Sequence, residues 1–157
     1  FLRYTIDQID RFVDLDRELE QVRAYVDIEK ARFGSKLRVV YEIDEDVHVK
    51  LPSLIIQPLV ENAIKHGIFE GPGSGTVQIT VRPESPESVR ITVEDDGVGI
   101  SAEAVERLRT GLGDNHVGLV NVDSRLRLIY QRGLEIERLN PGTRISFVID
   151  HRQEAIP

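Results

Sequence analysis

The segment Glu61-Asn62-Ala63-Ile64-Lys65-His66 sits in a run of helical apolar spacing. Asn62, Lys65 and His66 then fall at i, i+3 and i+4 and share one face. An amide oxygen can ligate a hard cation such as magnesium, and an ammonium meets phosphate charge. The same residues also fit a plain polar face, with Glu61 paired to Lys65 and His66 placed against the helix dipole. A second set surrounds Asp95. Val89, Ile91, Val93 and Asp95 occupy one side of an alternating strand, while Asp96 points to solvent. A carboxylate at the edge of an apolar face needs donors, because burying it unpaired is costly. Turn N–H groups could supply them, as could a ligand's amino group such as that of adenine.

Gly97 and Gly99 follow at i, i+2, a spacing that permits positive φ and close backbone approach to a flat ligand. A dinucleotide fingerprint would need a third glycine where Ala102 stands, and a calcium loop an oxygen ligand where Gly97 stands. The chain has no Gly-Lys dipeptide and hence no Walker A loop. Gly118 opens a helix whose free N–H groups could receive a phosphate, or it is simply a loop-to-helix junction. Thr143 shares its register with Ile145, Phe147 and Ile149. Its hydroxyl therefore faces inward, where backbone or a water beside Asp95 satisfies it.

The elements that must position these groups follow from periodicity. Residues 1–33 read as helical, with Leu2, Ile6, Ile9 and Val13 forming one stripe and Leu15, Leu19, Val22 and Val26 another. Asp14 is placed to cap the second stripe, and Gly34 stops the region. Residues 37–43 suit a strand. Pro52 and Ser53 suit a helix start, Pro58 requires the first turn, and Gly67 ends that helix. Gly71-Pro72-Gly73-Ser74-Gly75 is a loop. Strands around Val77 to Val81 and Val89 to Val93 are joined by a hairpin over 83–88. A short helix spans 101–108, a polar loop 110–116, and a helix starts at Gly118. Strands near 134–139 and 143–149 close the domain, and 151–157 reads as a frayed tail. This order predicts an α+β, two-layer α/β sandwich, with a mostly antiparallel mixed sheet and helices on one face.

The 157 residues suit one domain with at most a small appendage, and 40% hydrophobic with 30% charged residues is globular composition. The lack of cysteine excludes disulfide scaffolds, zinc fingers and cysteine nucleophiles. A net charge of -7 argues against bulk nucleic-acid binding and leaves room for a nucleotide pocket with a local cation. No apolar run reaches the length of a membrane span. The chain opens on Phe1 without a signal-peptide pattern, which predicts a piece of a longer protein.

The runs RAYVDIEKARFG, LPSLIIQPLVENAIKHGI, VEDDGVGI, VGLVNVDSRLRLIYQ and NPGTRISFVI cover nearly the whole chain. Their order and spacing resemble the Bergerat-type ATP-binding fold of gyrase, Hsp90, histidine kinases and MutL. The sensor histidine kinases of the LytS type are the closer match. The resemblance implies that Asn62 ligates the Mg2+ bridging the ATP phosphates, that Lys65 contacts phosphate, and that His66 lines the same pocket. It implies that Asp95 accepts from the adenine amine and that Gly97 and Gly99 let the backbone pass the base. Residues 101–117 would form the ATP lid, mobile over 111–116 without nucleotide. Gly118 and Leu119 would start the helix under the phosphates, and Thr143 would hold the water between Asp95 and the base.

The resemblance has departures. His116 stands where many relatives have glycine. Pro58 stands where hydrolytic members place a basic glutamate, and Glu61 lies about 100° round the helix from Asn62. These favour phosphoryl transfer over hydrolysis. The family's acceptor histidine lies in a Pro-His-Phe motif, and none of His48, His66, His116 and His151 follows proline. The acceptor is therefore expected upstream of Phe1. Residues 1–33 would be the helical tail of the dimerisation region, and 34–150 the catalytic domain. The implied cofactors are ATP and Mg2+, and the implied partners a response regulator and a second copy through the upstream helices. No nucleic acid or membrane contact is expected. The implied location is cytoplasmic, with the parent anchored in the cell membrane. The rival readings are a hydrolytic ATPase of the same fold and a binding module that has lost its nucleotide.

Overall fold

A computed structural model describes residues 11–71, 73–111 and 116–151. The chain runs β1 (Phe12–Asp14), α1 (Leu15–Phe33), a 3-10 turn (Gly34–Lys36), β2 (Leu37–Ile43), β3 (Lys50–Pro52) and α2 (Ile56–Asn62). A π-helical stretch (Ala63–Phe69) continues α2, followed by β4 (Gly75–Ser85), β5 (Ser88–Asp95), α3 (Ala102–Thr110), α4 (Val117–Tyr130), β6 (Glu135–Leu139) and β7 (Gly142–Asp150).

Period-two alternation sets the sheet. Val77, Ile79 and Val81 of β4, Val89, Ile91 and Val93 of β5, and Ile145, Phe147 and Ile149 of β7 are all buried on one face. The five strands lie in the order β2-β4-β5-β7-β6. Only β2 and β4 pair in parallel; the other neighbours are antiparallel. Val22 and Val26 of α1, Leu59 and Val60 of α2 and Leu126 of α4 join the same core. The expected α+β, mostly antiparallel two-layer architecture is therefore present. The opposite face is polar. Arg144 pairs with Glu94 at 2.9 Å and Glu137 at 2.7 Å, and Arg90 pairs with Glu84 and Glu135.

Several elements differ from expectation. Phe12–Asp14 is a strand, not helix, because it pairs antiparallel with Lys50–Pro52 and this tertiary partner overrides the helical period. Asp14 does stand at the cap position of α1, but its side chain makes no capping bond. The Leu15 N–H donates to Val49 O instead, at 3.0 Å. The earlier stripe of Leu2, Ile6 and Ile9 lies outside the described residues, as do Pro72 and residues 152–157 of the expected tail. The helix after Pro52 starts at Ile56, because Leu54 adopts φ +57. Pro58 is then its third residue, within the first turn as required. Gly67 does not end that helix, which continues to Phe69. The hairpin is tighter than 83–88, since β4 runs to Ser85 and β5 starts at Ser88, with a register shift at Pro83 and Ser85. Ser101 caps α3 by accepting from the Ala104 N–H at 3.1 Å. Of the expected lid, residues 112–115 lie outside the described residues.

Candidate functional site

Two cavities meet where β5 ends and α2 passes beneath it. The first, of about 410 Å³, is lined by Gly67, Asp95, Gly99, Ile100 and Thr143 among others. The second, of about 240 Å³, is lined by Pro58, Glu61, Lys65, Gly118 and Leu119 among others. Asn62, His66 and His116 line both. A larger groove of about 780 Å³ lies between the start of α1 and residues 47–50, away from all of these groups.

Asp95 is the last residue of β5, opposite Val77 of β4 and Thr143 of β7. Two ladders thus hold its backbone, and its side chain is only 5% exposed. Oδ1 accepts the Gly97 N–H at 2.9 Å. Burial pushes the carboxyl up to about 6, with Asp96 and Glu94 adding to the rise and the Gly97 N–H opposing it. The turn thus supplies one of the donors considered for Asp95, and the residue also lines the first cavity. Thr143 is buried as its register predicts, and Oγ1 accepts the Ile100 N–H at 2.8 Å.

The two glycines of the turn do different things. Gly99 takes φ +81 and lines the first cavity, whereas Gly97 is not in the positive-φ region. A methyl at Gly97 would fall inside the van der Waals radius of the Gly67 carbonyl, which accepts the Val98 N–H at 2.9 Å. Gly67 in turn faces Asp95, since a methyl there would lie 2.6 Å from Oδ1 and 2.9 Å from Oδ2. Sequence reasoning took Gly67 for a helix terminator and missed it as the floor under Asp95. Its requirement is mutual with residues 28 and 30 positions away, and no local pattern encodes it.

Asn62 closes α2, and its Oδ1 accepts from His116 Nδ1 at 2.9 Å. His116 therefore carries its proton on Nδ1. Burial, and next the neighbouring imidazole of His66, hold its pKa below the ordinary histidine value. The two imidazole centroids are 4.8 Å apart, and His66 Nδ1 lies 2.9 Å from Glu70 Oε2. The helix continues past His66 to Phe69, which leaves His66 in its last turn, where a basic group still meets the negative end of the dipole. Lys65 is exposed at the rim of the second cavity. Glu61 lines the same cavity and accepts from Gln57 Nε2 at 3.1 Å. Gly118 is the second residue of α4, where helix N–H groups lack intrahelical acceptors.

Residues 47–153 match the family model described as histidine kinase-, DNA gyrase B-, and HSP90-like ATPase. The chain belongs to this family. Its ATPase domain is an ATP-binding domain, and the stretch matched contains every candidate site residue. Residues 1–37 match a second model, described as histidine kinase. Sensor histidine kinase YpdA of Escherichia coli K12 is 47% identical over 99% of this chain and 28% of its own length. Sensor histidine kinase/phosphatase LytS of Staphylococcus aureus MRSA252 is 31% identical over 90% of this chain and 26% of its own length. The chain thus spans about a quarter of each of these relatives. Among solved structures, the nucleotide-free catalytic domain of histidine kinase ThkA superposes with a TM-score of 0.66 at 20% identity, over 90% of this chain and 96% of that one. ThkA in complex with response regulator protein TrrA superposes at 0.62 with 18% identity, over 99% of this chain and 47% of that one. At such identities these structures speak to the fold.

Proposed function

We propose that this chain is the ATP-binding catalytic part of a two-component sensor histidine kinase. The parent would transfer the γ-phosphoryl group of Mg-ATP to a histidine upstream of Phe1 and then to a response regulator. The observation that carries this reading is the order of groups along the paired cavities. A buried carboxylate, Asp95, lies at one end, a hard oxygen, that of Asn62, lies where the cavities meet, and an ammonium and a helix N-terminus lie at the other end. That sequence of groups suits an adenine amine first and phosphates last.

In this reading Asp95 accepts from the adenine amine, Thr143 holds the adjacent water, and Gly97 and Gly99 bring the turn against the base. Lys65 meets phosphate charge, His66 lines the wall, and Gly118 and Leu119 place free N–H groups under the phosphates. Asn62 Oδ1 fits a magnesium ion as a single protein oxygen, since this ion keeps waters and takes the rest of its shell from phosphates. Such an ion would supply positive charge against the phosphates at this end of the site. No group of three or more His, Asp or Glu side chains able to hold a metal occurs among the described residues, which suits an ion brought by its substrate. The bond from His116 uses one lone pair of this oxygen, and the second is free for an ion.

Residues 1–33 would close the dimerisation region, and 34–150 would form the catalytic domain. The parent would dimerise through its upstream helices and be anchored in the cell membrane with this domain in the cytoplasm. No helix among the described residues is long and apolar enough to cross a membrane. Glu61 lines the phosphate-end cavity, which supports a hydrolytic ATPase as second reading. Steady-state release of inorganic phosphate from ATP distinguishes the two.

The direct test is incubation with labelled Mg-ATP and counting of acid-labile phosphate. Phosphoryl transfer needs an attacking nitrogen in line at about 3–3.5 Å. His66 and His116 are engaged by Glu70 and Asn62, and His48 and His151 lie outside both cavities. The chain alone is expected to bind ATP and take up no acid-labile label, and to be labelled once the upstream segment is restored. Stoichiometric label on the chain alone would contradict the placement of the acceptor.

A further inference from the structure

One buried carboxylate ties α1 to the start of α2. Glu18 is fully buried, and Oε2 accepts the Leu54 N–H at 3.1 Å. Its Oε1 accepts the Ile55 N–H at 3.0 Å and the Ile56 N–H at 3.1 Å. These donors open a helix and have no intrahelical acceptor. The cap residue itself, Ile55, has no side chain able to serve them. A carboxylate is also the group that the positive end of a helix favours. The carbonyl side of the same turn is held from α4, where Arg125 Nη1 donates to Leu54 O at 3.0 Å and Nη2 to Ser53 O at 2.6 Å. Between the two clasps Leu54 adopts φ +57, which side chains rarely take. Three helices therefore meet at one turn. Of these, α2 leads to Asn62 and Lys65, and α4 starts with Gly118.

We propose that Glu18 and Arg125 are positioning residues. They lock α1, α2 and α4 into one register, so that the placement of α1 sets the spacing between Asn62 and Lys65 on one side and Gly118 on the other. A shift of α1 would change affinity at the phosphate end of the site and leave the Asp95 end alone, because β5 is held separately by β4 and β7. This rests on the nucleotide reading of the two cavities.

The test compares Mg-ATP with adenosine on the whole chain by calorimetry, at a temperature where circular dichroism shows each variant folded. Glu18→Gln keeps the volume but turns an amide towards one of the three N–H groups. Arg125→Lys keeps the charge and loses the fork. In each, Mg-ATP affinity is expected to fall about tenfold with adenosine affinity unchanged. The double variant should lose little more than either single one. Equal losses for both ligands, or no loss of Mg-ATP affinity, would overturn the proposal as they would for a merely structural cap. If a variant does not fold, hydrogen exchange on the unaltered chain decides. The Leu54, Ile55 and Ile56 amides should exchange more slowly with Mg-ATP than with adenosine, and equal exchange overturns the coupling. An unaltered chain that binds neither ligand sinks the nucleotide reading itself, whereas normal binding with indifferent variants sinks the coupling alone.

Discussion

Replacing Asp95 by asparagine is expected to weaken ATP binding roughly ten- to a hundred-fold and, at pH 8, to raise the melting temperature of the nucleotide-free chain. The first effect follows from loss of a charge-assisted acceptor, about 1.5–3 kcal/mol. The second follows from burial. The Asp95 carboxyl is raised to about 6 in the fold, against about 3.9 for a free side chain. A raised value means that its titration favours the fold below the unfolded value and that this contribution is lost as pH rises through about 6. Above that pH the nucleotide-free fold carries a buried anion, which asparagine removes while still accepting from the Gly97 N–H. The gain in melting temperature should therefore be present at pH 8 and vanish near pH 4. Nucleotide affinity should run the other way in the unaltered chain, falling as pH is lowered through about 6. Calorimetry and thermal melts across this range check both. A variant that melts lower at pH 8 and binds ATP normally would contradict the assignment of Asp95 on both counts.

Gly97→Ala is expected to cost about 3 kcal/mol or more of stability, the upper end of overpacking effects. For a chain of this size that lowers the melting temperature by roughly 6–12 °C. The added methyl would collide with the Gly67 carbonyl and lie 2.8 Å from Gly67 Cα, so backbone rather than a flexible side chain must yield. Both strands of the contact are pinned, Gly97 N by Asp95 and Gly67 O by Val98. Gly118→Ala is the matched control. Its methyl would meet only Pro58 Cβ at an ordinary 3.8 Å, in a helix that prefers alanine over glycine by up to about 1 kcal/mol. Thermal denaturation of the two variants should move in opposite directions, and similar melting temperatures would refute the steric argument.

The two substitutions also mark what a sequence can and cannot disclose. The inward face of Asp95 and Thr143 was readable because alternation along a strand fixes a side regardless of which strands lie beside it. The shared face of Asn62, Lys65 and His66 was readable for the same reason with a different period. Pairing of Phe12–Asp14 with Lys50–Pro52 was not, since short segments so far apart carry no local signature of each other. Gly67 and Gly97 illustrate the same limit. Each looks like punctuation alone, and only their contact shows that both must lack a side chain. Glu18 reads as one more acid on a charged helix until the N–H groups of residues 54–56 are brought onto it. The link from His116 to Asn62 likewise joins a loop to a helix across 54 positions.

The polar side of the sheet has a bearing on traffic around the domain. Arg90 and Arg144 each share their charge between two acids, Arg90 with Glu84 and Glu135 and Arg144 with Glu94 and Glu137. Arg82 is likewise matched with Glu42. Charges quenched by their neighbours exert little pull at a distance, and at ordinary salt that pull fades within about 10 Å. An approaching macromolecule meets a hydrated, self-neutralised wall on this flank and gains little by displacing its water. On the proposed reading, recognition would fall instead to the helical flank, whose α2 and α4 carry Asn62 and Gly118 of the second cavity.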